Sequence, residues 1–439
     1  MLHRTSHALL QTFCLRTCAL TATPYFKAIG KLAHPTRASI LRPCLLPQPH
    51  SQRVRPRPFL QTPHSKQHTE RYSQFPKAVT AGGATPQSAI SSGPVLPLSE
   101  RPVQAKVSAD VLFAWHATAI AQADAVGSAF ADADGGPSSE DLKIELNWLL
   151  DDTVDAVQAS ADSQWKPCTW RQLQSNMDLH HPKDTSNACS QSIALRADIN
   201  TLAQLWKQRT QDRVPLQYLN NCCHWRDFIL AVGEGVLIPR PETEVLIDLA
   251  EQAMQKQPKL KQGVWLDLGT GSGAISIGLA TLLPCSTQVY AVDESLEAVA
   301  WARLNVQRLG LTDRIQVKNG SWYEPMQSMC GNIAGIVSNP PYIPHSQMRH
   351  LQAEVRQYEP WLALDGGQGP GLNSLRLICQ GASVVLQPGG FLALETTGGT
   401  QAQQVIDMLQ QMQAFDHIQS IQDLAGIDRF VTAWKILDN

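Results

Sequence analysis

Short apolar runs alternate with amphipathic stretches from about residue 217 to the carboxyl terminus. The apolar runs cover 264–268, 288–292, 315–317, 333–337 and 391–394, and the helical patterns between and after them cover 274–283, 296–309, 372–386 and 401–413. Two last runs, 418–422 and 429–436, flank a turn that contains glycine and predict an antiparallel hairpin. Strands that alternate with helices are typical of βαβ units, so we expect a doubly wound, mostly parallel α/β sheet over 215–439.

The segment before this pattern is smaller and reads as helical. Helical periodicity covers 111–130, 140–159 and 198–213, and Gly135, Gly136 and Pro137 separate the first two of these stretches. Residues 162–191 are polar and aperiodic, which predicts a surface insertion. The pattern therefore predicts a small, all-helical domain over 105–214.

The first 69 residues contain ten basic and no acidic side chains, and are rich in Ser, Thr, His and Pro. This composition is typical of an organelle transit peptide, which we expect over 1–70. Its length favours a plastid, with the mitochondrion as a close alternative and a basic tail that binds RNA or membrane as a third interpretation. Glycine, serine and proline then predict a disordered linker over 71–104.

Without the leader, the chain is acidic. The whole chain has a formal net charge of -2, but residues 70–439 carry 26 basic against 38 acidic residues, a net of -12. This charge excludes a generally basic body of the kind that binds nucleic acid through phosphates, so no direct nucleic-acid contact is expected. No run of 18 or more apolar residues occurs, and a membrane span is not expected.

The ten cysteines do not form a metal-binding pattern. Three of them lie in the leader, and the other seven show no C-x-x-C and no paired Cys/His spacing. We therefore expect reduced, mostly structural thiols and no metal site.

The strongest local motif follows the first apolar run of the α/β segment. The sequence Asp267-Leu-Gly-Thr-Gly-Ser-Gly273 leads directly into a helical stretch. Glycines allow a sharp turn and a close approach of backbone to ligand, and the helix start offers unpaired N–H groups. Asp293 stands at the end of the next predicted strand, where a carboxylate accepts hydrogen bonds from ribose hydroxyls. Together these features predict a site for an adenosine-containing ligand.

The turn alone leaves two ligands open. Gly269, Gly271 and Ala274 also satisfy the G-x-G-x-x-G/A pattern of nicotinamide cofactors. Asp267, two residues before the first glycine, suits a ligand with a cationic amino-acid end, which S-adenosylmethionine has and NAD lacks.

A second motif, Asn339-Pro-Pro-Tyr342, ends the fourth predicted strand. Consecutive prolines cannot continue a central strand, so the chain must turn out rigidly at the ligand edge. The side-chain oxygen of Asn339 and the carbonyl of Pro340 then offer two acceptors to a planar NH2 group, and Tyr342 offers a flat face for stacking. This arrangement aims an amide or arylamine nitrogen at an incoming methyl group.

Both motifs, together with Val236-Leu-Ile-Pro-Arg-Pro-Glu-Thr-Glu244, resemble the PrmC/HemK family. The resemblance covers about 215–439, and 107–213 match the family's amino-terminal substrate-recognition domain only in position and class. It implies a seven-stranded methyltransferase sheet and transfer of a methyl group from S-adenosylmethionine to the glutamine of the Gly-Gly-Gln motif of a release factor. The implied partner is thus a protein, and the implied state is a monomer.

The resemblance also assigns roles to single residues. The turn that comprises Gly269, Thr270, Gly271, Ser272 and Gly273 would surround the methionine part of the cofactor. The remaining implied contacts are Asp267 and Asn339 at the cofactor, Asp293 at the ribose, Trp322 at the adenine, and Asn339, Pro340, Pro341 and Tyr342 at the glutamine, with Arg240 and Glu242 as a pocket wall. Many relatives carry an acidic residue where this chain has Ser321, which weakens one expected contact to the adenine.

Other functions remain open at this point. The same chemistry serves a glutamine of a ribosomal protein or an amino group of nucleic acid, since Asn-Pro-Pro-Tyr also occurs in DNA adenine methyltransferases. A non-catalytic assembly factor that keeps the fold, and a nicotinamide-dependent dehydrogenase, are alternatives of other classes.

Overall fold

A computed structural model describes residues 93–160, 163–179 and 191–437. The predicted leader, the predicted linker up to residue 92, and residues 162 and 180–190 of the predicted insertion lie outside the described residues. The end of the predicted linker is ordered: Leu98 is buried, and its N–H donates to the carbonyl of Asn220 over 2.8 Å. The predicted disorder therefore does not extend over the ordered residues from Leu98 to residue 104.

The amino-terminal part combines helices with a small sheet. Its helices are α1 (Ala109–Val126), α2 (Ala129–Asp134), α3 (Ser139–Thr153), α4 (Trp170–Leu179), α5 (Ile199–Lys207), which continues as a π-helical turn (Gln208–Asp212), and α6 (Leu216–Leu219). Its strands are β1 (Ala105–Ser108), β2 (Val154–Gln158), β3 (Lys166–Pro167) and β4 (Ser192–Leu195), and they form an antiparallel sheet in the order β1-β4-β2-β3.

This sheet corrects two expectations. The segment is not all-helical, because the helix predicted over 140–159 ends at Thr153 and the chain continues as β2, where Val157 pairs with Ile193. The predicted surface insertion also contributes to the core, since α4 begins with the fully buried Trp170. Short strands that pair with distant partners leave no clear period in the sequence, which is why the pattern did not predict them.

The carboxyl-terminal part contains the predicted seven-stranded sheet. It follows a hairpin of β5 (Cys222–Trp225) and β6 (Phe228–Ala231). The seven strands of the sheet are β7 (Val264–Leu268), β8 (Val289–Asp293), β9 (Ile315–Asn319), β10 (Ile333–Ser338), β13 (Leu386–Glu395), β14 (Phe415–Gln422) and β15 (Asp428–Lys435). Between β10 and β13 in the chain, β11 (Ile343–Pro344) and β12 (Asp365–Gly367) form a separate parallel pair. Its helices are α7 (Val245–Lys256), α8 (Ala274–Leu282), α9 (Leu296–Arg308), α10 (Ala353–Tyr358), α11 (Asn373–Val385) and α12 (Thr400–Gln411).

The strand order fixes where a ligand binds. The sheet runs β14-β15-β13-β10-β7-β8-β9, with β13, β10, β7, β8 and β9 parallel and β14 and β15 antiparallel at one edge. Strand β7 has β8 as its neighbour on one side and β10 on the other, so the strand order reverses at β7. In such sheets, ligands bind in the crevice outside the carboxyl ends of the central strands. We therefore expect the ligand site at the ends of β7 and β10.

Apolar side chains cover both faces of this sheet. One buried cluster includes Leu246 and Ile277, and a second includes Leu375 and Val405, so that helices shield each face from water. A third cluster, centred on α1, α3 and Trp206, forms the core of the amino-terminal part. None of the described helices is both long enough and apolar enough to span a bilayer.

Candidate active site

The glycine-rich turn connects β7 to α8 in a left-handed backbone conformation. Gly269, Gly271 and Gly273 have φ angles of +73°, +55° and +88°, a region that side chains with a Cβ rarely adopt. The N–H groups of Gly269 and Thr270 donate to the carbonyl of Val292 over 2.9 and 3.0 Å, which fastens the turn to β8. The predicted turn residues Thr270 and Ser272 are both buried. The turn is therefore a fixed loop at the carboxyl edge of the sheet.

Asp267 stabilises this turn through hydrogen bonds. Its side chain is completely buried, and its Oδ2 accepts hydrogen bonds from the hydroxyls of Thr270 and Ser276 and, over 2.9 Å, from the N–H of Ser276. Burial raises the pKa of this carboxyl to about 6, although the hydroxyl and N–H donors act in the opposite direction. Its Oδ1 is buried and accepts no hydrogen bond from the described residues. One acceptor at the base of the turn thus remains for a cation.

Asp293 lies against the other side of the same turn. Its Oδ2 accepts from the N–H of Gly271 over 2.8 Å, and its Oδ1 accepts from the N–H of Ser295 over 3.0 Å. Burial raises the pKa of Asp293, while the two N–H groups oppose that rise. Each carboxylate oxygen has more than one lone pair, so these bonds orient the group without exhausting it as an acceptor.

The asparagine motif leaves the sheet directly beside the glycine turn. Ser338, the last residue of β10, pairs in register with Leu268, the last residue of β7, and its hydroxyl donates to the Leu268 carbonyl. A Cβ placed on Gly269 would lie 3.7 Å from both the Asn339 carbonyl oxygen and Cζ3 of Trp322. The structure therefore brings the turn, Asn339 and Trp322 together.

The remaining residues of the motif are held by neighbouring elements. Pro340 is buried, and Pro341 and Tyr342 are half-buried. The Tyr342 hydroxyl donates to Oε1 of Glu395 over 3.0 Å, and its main-chain carbonyl accepts from Nε2 of Gln401 over 2.8 Å. The exit from β10 is thus anchored to the end of β13 and to α12.

The chain is similar in sequence to known methyltransferases. A family model described as the methyltransferase small domain matches residues 243–359. The chain is 47% identical to the release factor glutamine methyltransferase of Thermosynechococcus vestitus over 241 residues, which cover 55% of this chain and 81% of that protein. It is 40% identical to the protein of the same name from Synechocystis sp. over 290 residues, which cover 66% and 89% of the two chains. The chain belongs to the release factor glutamine methyltransferase family.

The crystal structure of a protein-(glutamine-N5) methyltransferase from Alicyclobacillus acidocaldarius is also similar, with 28% sequence identity, a TM-score of 0.28, and coverage of 47% of this chain and 99% of that one. Members of this methyltransferase family use S-adenosylmethionine. The predicted family, sheet and enzyme class are confirmed, and the nicotinamide alternative is removed.

The described residues of this methyltransferase fit that cofactor. The orphaned Oδ1 of Asp267 is a buried acceptor suited to the ammonium group that S-adenosylmethionine carries. A Cβ on Gly271 would meet only Cγ2 of Val236 at 3.9 Å, so that a ligand can approach this backbone closely. Trp322, in a left-handed conformation at φ +44°, presents its ring beside Gly269.

Two residues at this site were missed by the sequence analysis. Glu395 ends β13 at the same sheet edge as Asn339, and Thr243 lies in the 3-10 turn Pro241–Glu244. The Thr243 hydroxyl donates to Oε2 of Glu395 over 2.7 Å, and Nδ2 of Asn339 donates to the Thr243 hydroxyl over 3.0 Å. The available signal was a lone carboxylate at the end of a ten-residue, largely buried strand.

The two predicted wall residues occupy different surroundings. Nη2 of Arg240 donates to Oε1 of Glu359 over 2.5 Å, and the other oxygen of Glu359 accepts from the N–H of Ile238 over 3.1 Å. Arg240 is thereby fixed to the end of α10. Glu242 is half-buried, and its negative charge is one of the influences that raise the pKa of Glu395.

One group of potential metal ligands occurs among the described residues, and it lies outside the methyltransferase site. Asp152, Cys222 and His224 bring one ligand atom each within 4.8 Å of the others. Burial raises the pKa of the Cys222 thiol well above its ordinary value, and the nearby Asp152 carboxylate adds to the rise. Burial therefore opposes formation of the thiolate that a metal ligand requires. Asp152 is already bound through Oδ2 to Nδ2 of Asn220 over 2.7 Å.

Proposed function

We propose that this protein transfers the methyl group of S-adenosylmethionine to the side-chain amide nitrogen (N5) of the glutamine in the Gly-Gly-Gln motif of a peptide-chain release factor. One observation carries the proposal: Asn339 leaves β10 beside the glycine turn that leaves β7, so an amide held by Asn339 faces the cofactor turn. The names of the relatives support the choice of substrate.

The cofactor lies along the glycine turn. The segment Gly269–Gly273 would line its methionine part, with no Cβ at its three glycines, and Oδ1 of Asp267 would receive the ammonium group. Asp293 accepts hydrogen bonds from the ribose hydroxyls, and the ring of Trp322 packs beside the adenine. The bound cofactor supplies an electrophilic methyl group, and the protein supplies the position of the acceptor.

The glutamine amide is held by the asparagine motif. The Oδ1 of Asn339 and the carbonyl of Pro340 each accept one N–H of the amide, while Tyr342 stacks against its plane. Pro341 keeps this exit from the sheet rigid. An amide nitrogen is a poor nucleophile because its lone pair is delocalised, so holding both N–H bonds and aiming the lone pair is the main catalytic contribution.

Recognition of the release factor falls to the surroundings of this pocket. Arg240 and Glu242 form one wall, and residues 105–214 dock the partner. A net charge of -12 over 70–439 suits a protein partner and disfavours bare RNA or DNA. The working state is a monomer.

The predicted leader directs the protein to an organelle, with the plastid favoured over the mitochondrion. The support is the composition of residues 1–69, which carry ten basic and no acidic side chains. The release factor in question is then the one that works in that organelle. Fusing 1–70 to a fluorescent protein and locating the fusion in cells tests this part; a fusion that stays in the cytosol contradicts it.

The catalytic assignment is tested with Asn339→Ala. We expect transfer of labelled methyl to release factor to fall by at least about a hundredfold, because the amide loses its orienting acceptor, while the affinity for S-adenosylmethionine changes little. The control is Asn332→Ala, an exposed asparagine just before the opposite end of the same strand. Unchanged turnover by Asn339→Ala contradicts the assignment and favours a non-catalytic role for the site.

The substrate assignment is tested by offering purified release factor, ribosomes and DNA to the wild-type enzyme in parallel. We expect label only in the release factor. Label in a ribosomal protein or in DNA instead leaves the chemistry intact and overturns the substrate.

A further inference from the structure

A chain of three hydrogen-bonding side chains runs from the end of β13 to Asn339. Oε2 of Glu395 accepts from the Thr243 hydroxyl over 2.7 Å, and that hydroxyl accepts from Nδ2 of Asn339 over 3.0 Å. β10 and β13 are parallel neighbours whose last pair is Ser338 with Leu394, so Asn339 and Glu395 are the next residues along both strands. Thr243 comes from a separate element, the turn Pro241–Glu244, and closes the gap between them.

The number of protons on each group determines which group donates and which accepts in these hydrogen bonds. A threonine hydroxyl has one proton, and an ionised carboxylate can only accept. Because Thr243 gives its proton to Glu395, its oxygen is left as an acceptor for Asn339. Only the NH2 end of the Asn339 amide can satisfy that acceptor, so the carbonyl end must point the other way.

This orientation decides whether Asn339 can bind its substrate. A glutamine amide nitrogen presents N–H donors and therefore requires acceptors. An asparagine side chain flips between two nearly isosteric orientations, and the wrong one places NH2 against NH2. The Thr243 hydroxyl excludes the wrong one.

The same carboxylate also holds the second substrate-facing side chain. Oε1 of Glu395 accepts from the Tyr342 hydroxyl over 3.0 Å, so one carboxyl group fixes both the amide of Asn339 and the ring of Tyr342. Glu395 is 1% exposed and Thr243 is 4% exposed. Burying a carboxylate at this depth is unfavourable, and an apolar side chain would serve better if packing were its only role.

We propose that Glu395 and Thr243 are positioning residues that fix which end of the Asn339 amide faces the substrate. The proposal rests on the proposed function, in which Asn339 receives an amide N–H. Neither residue touches the reacting atoms, and both act through Asn339 and Tyr342.

The hydroxyl is tested by comparing Thr243→Val with Thr243→Ser. Valine has nearly the same shape and no hydroxyl, and we expect its kcat to fall by roughly tenfold to a hundredfold with little change in the affinity for S-adenosylmethionine. Serine keeps the hydroxyl, and we expect it to restore most of the lost rate. Thr287→Val is the matched control, since Thr287 is a buried threonine whose hydroxyl binds the Lys261 carbonyl elsewhere in the fold.

The linkage is tested by a double-mutant cycle. In Glu395→Gln the new amide can donate to Thr243 as well as accept from it, so the orientation of Asn339 is no longer fixed and kcat falls. Because both residues act through one chain of bonds, the double variant with Thr243→Val should be no more than about twofold slower than the slower single variant. If the kcat losses of the two single variants multiply in the double variant, the proposal is overturned. A Thr243→Val enzyme with wild-type kcat also overturns it.

A measurement without any protein substrate separates this proposal from the proposed function. The side-chain NH2 of Asn339, assigned by its loss in Asn339→Ala, should exchange with solvent slowly in the wild type and in Thr243→Ser, and faster in Thr243→Val. Equal exchange in all three proteins contradicts the orienting role. Absence of methyl transfer to a release factor by the wild type contradicts the proposed function instead.

Discussion

Two carboxyl groups of the site, those of Asp267 and Glu395, are completely enclosed. Burial raises the pKa of Asp267 to about 6 and that of Glu395 to about 7, and hydroxyl donors partly oppose the rise in both cases. For Glu395, Arg429 and Tyr342 also lower the pKa, while the charge of Glu242 raises it. Folding therefore keeps a proton on each group at pH values where the unfolded chain releases it. The ionised Glu395 that orients Thr243 and Asn339 forms as pH rises through about 7.

This predicts a definite sign for stability against pH. The folded pKa of Glu395 lies near 7 and its ordinary value is 4.5, so its contribution is complete below 4.5 and is lost as pH rises through 7. The free energy of unfolding of the wild type relative to Glu395→Gln should fall by on the order of 2 kcal/mol between about pH 4.5 and pH 8. Urea unfolding of both proteins at these pH values measures it. A difference that is constant or grows with pH contradicts the assigned shift.

A second prediction concerns the glycine closest to Asn339. In Gly269→Ala the added methyl would stand 3.7 Å from the Asn339 carbonyl and the Trp322 ring, in the space assigned to the cofactor, at a φ of +73°. We expect affinity for S-adenosylmethionine, measured by calorimetry, to fall at least about tenfold, beside a strain of roughly 1–2 kcal/mol. Gly310→Ala is the control, since Gly310 has a φ of +67° and open space around it. Equal cofactor affinity in the two variants would show that the turn does not hold the cofactor.

Single residues of this site differ in how far sequence reveals them. Asp267, Asp293 and Asn339 each follow an apolar run, and parallel strands bring such positions to one edge, so their meeting was predictable. The Thr243–Glu395 bond joins positions 152 residues apart, and the Asn339–Thr243 bond spans 96. No local pattern encodes such a pair, because it depends on how a separate turn packs against the sheet.

At the level of elements, the short helix α10 connects the two parts of the chain. Glu354, in its first turn, accepts from Nη1 of Arg209 over 3.1 Å and from Nε of Arg213 over 3.1 Å, and both arginines belong to the segment that follows α5. Just past its other end, Glu359 binds Arg240. One helix thus links the amino-terminal part to Arg240, which we propose as one wall of the substrate pocket.

Loss of the ion pairs of Glu354 should lower the free energy of unfolding. Arg209 is 2% exposed, and Glu354→Gln removes one of the charges that balance it. We expect the free energy of unfolding to fall by about 3 kcal/mol, as is typical when a buried ion pair loses one partner. Chemical denaturation measures the change, with the exposed Glu251→Gln as the control. A variant as stable as the control would mean that the network contributes nothing to stability.

The strands show where the hydrophobic pattern of the sequence predicts secondary structure correctly and where it does not. The apolar run 264–268 predicts β7 to the residue, because a strand buried on both faces is continuously apolar. The other runs also locate strands of the large sheet, although the partly exposed β9 and β14 extend beyond their runs. Strand β2 was assigned to a helix because no glycine or proline separates it from α3. Its strand conformation depends on pairing with β4, more than 30 residues further along the chain.

For the whole molecule, composition and topology carry different information. The parallel sheet and its switch point between β7 and β10 place the site, whereas the net charge of -12 over 70–439 limits the kind of partner. The predicted leader lies outside the described residues, so the organelle remains a prediction. The role of 105–214 in docking a release factor likewise depends on a partner and remains a prediction.

The most direct measurement is peptide mapping by mass spectrometry of release factor that has been incubated with the enzyme and S-adenosylmethionine. The account predicts a single added methyl group on the side-chain nitrogen of the glutamine in the Gly-Gly-Gln motif, and none after incubation with Asn339→Ala. A methyl group on a different residue, or an unmodified glutamine beside methylated ribosomal protein or nucleic acid, would contradict it.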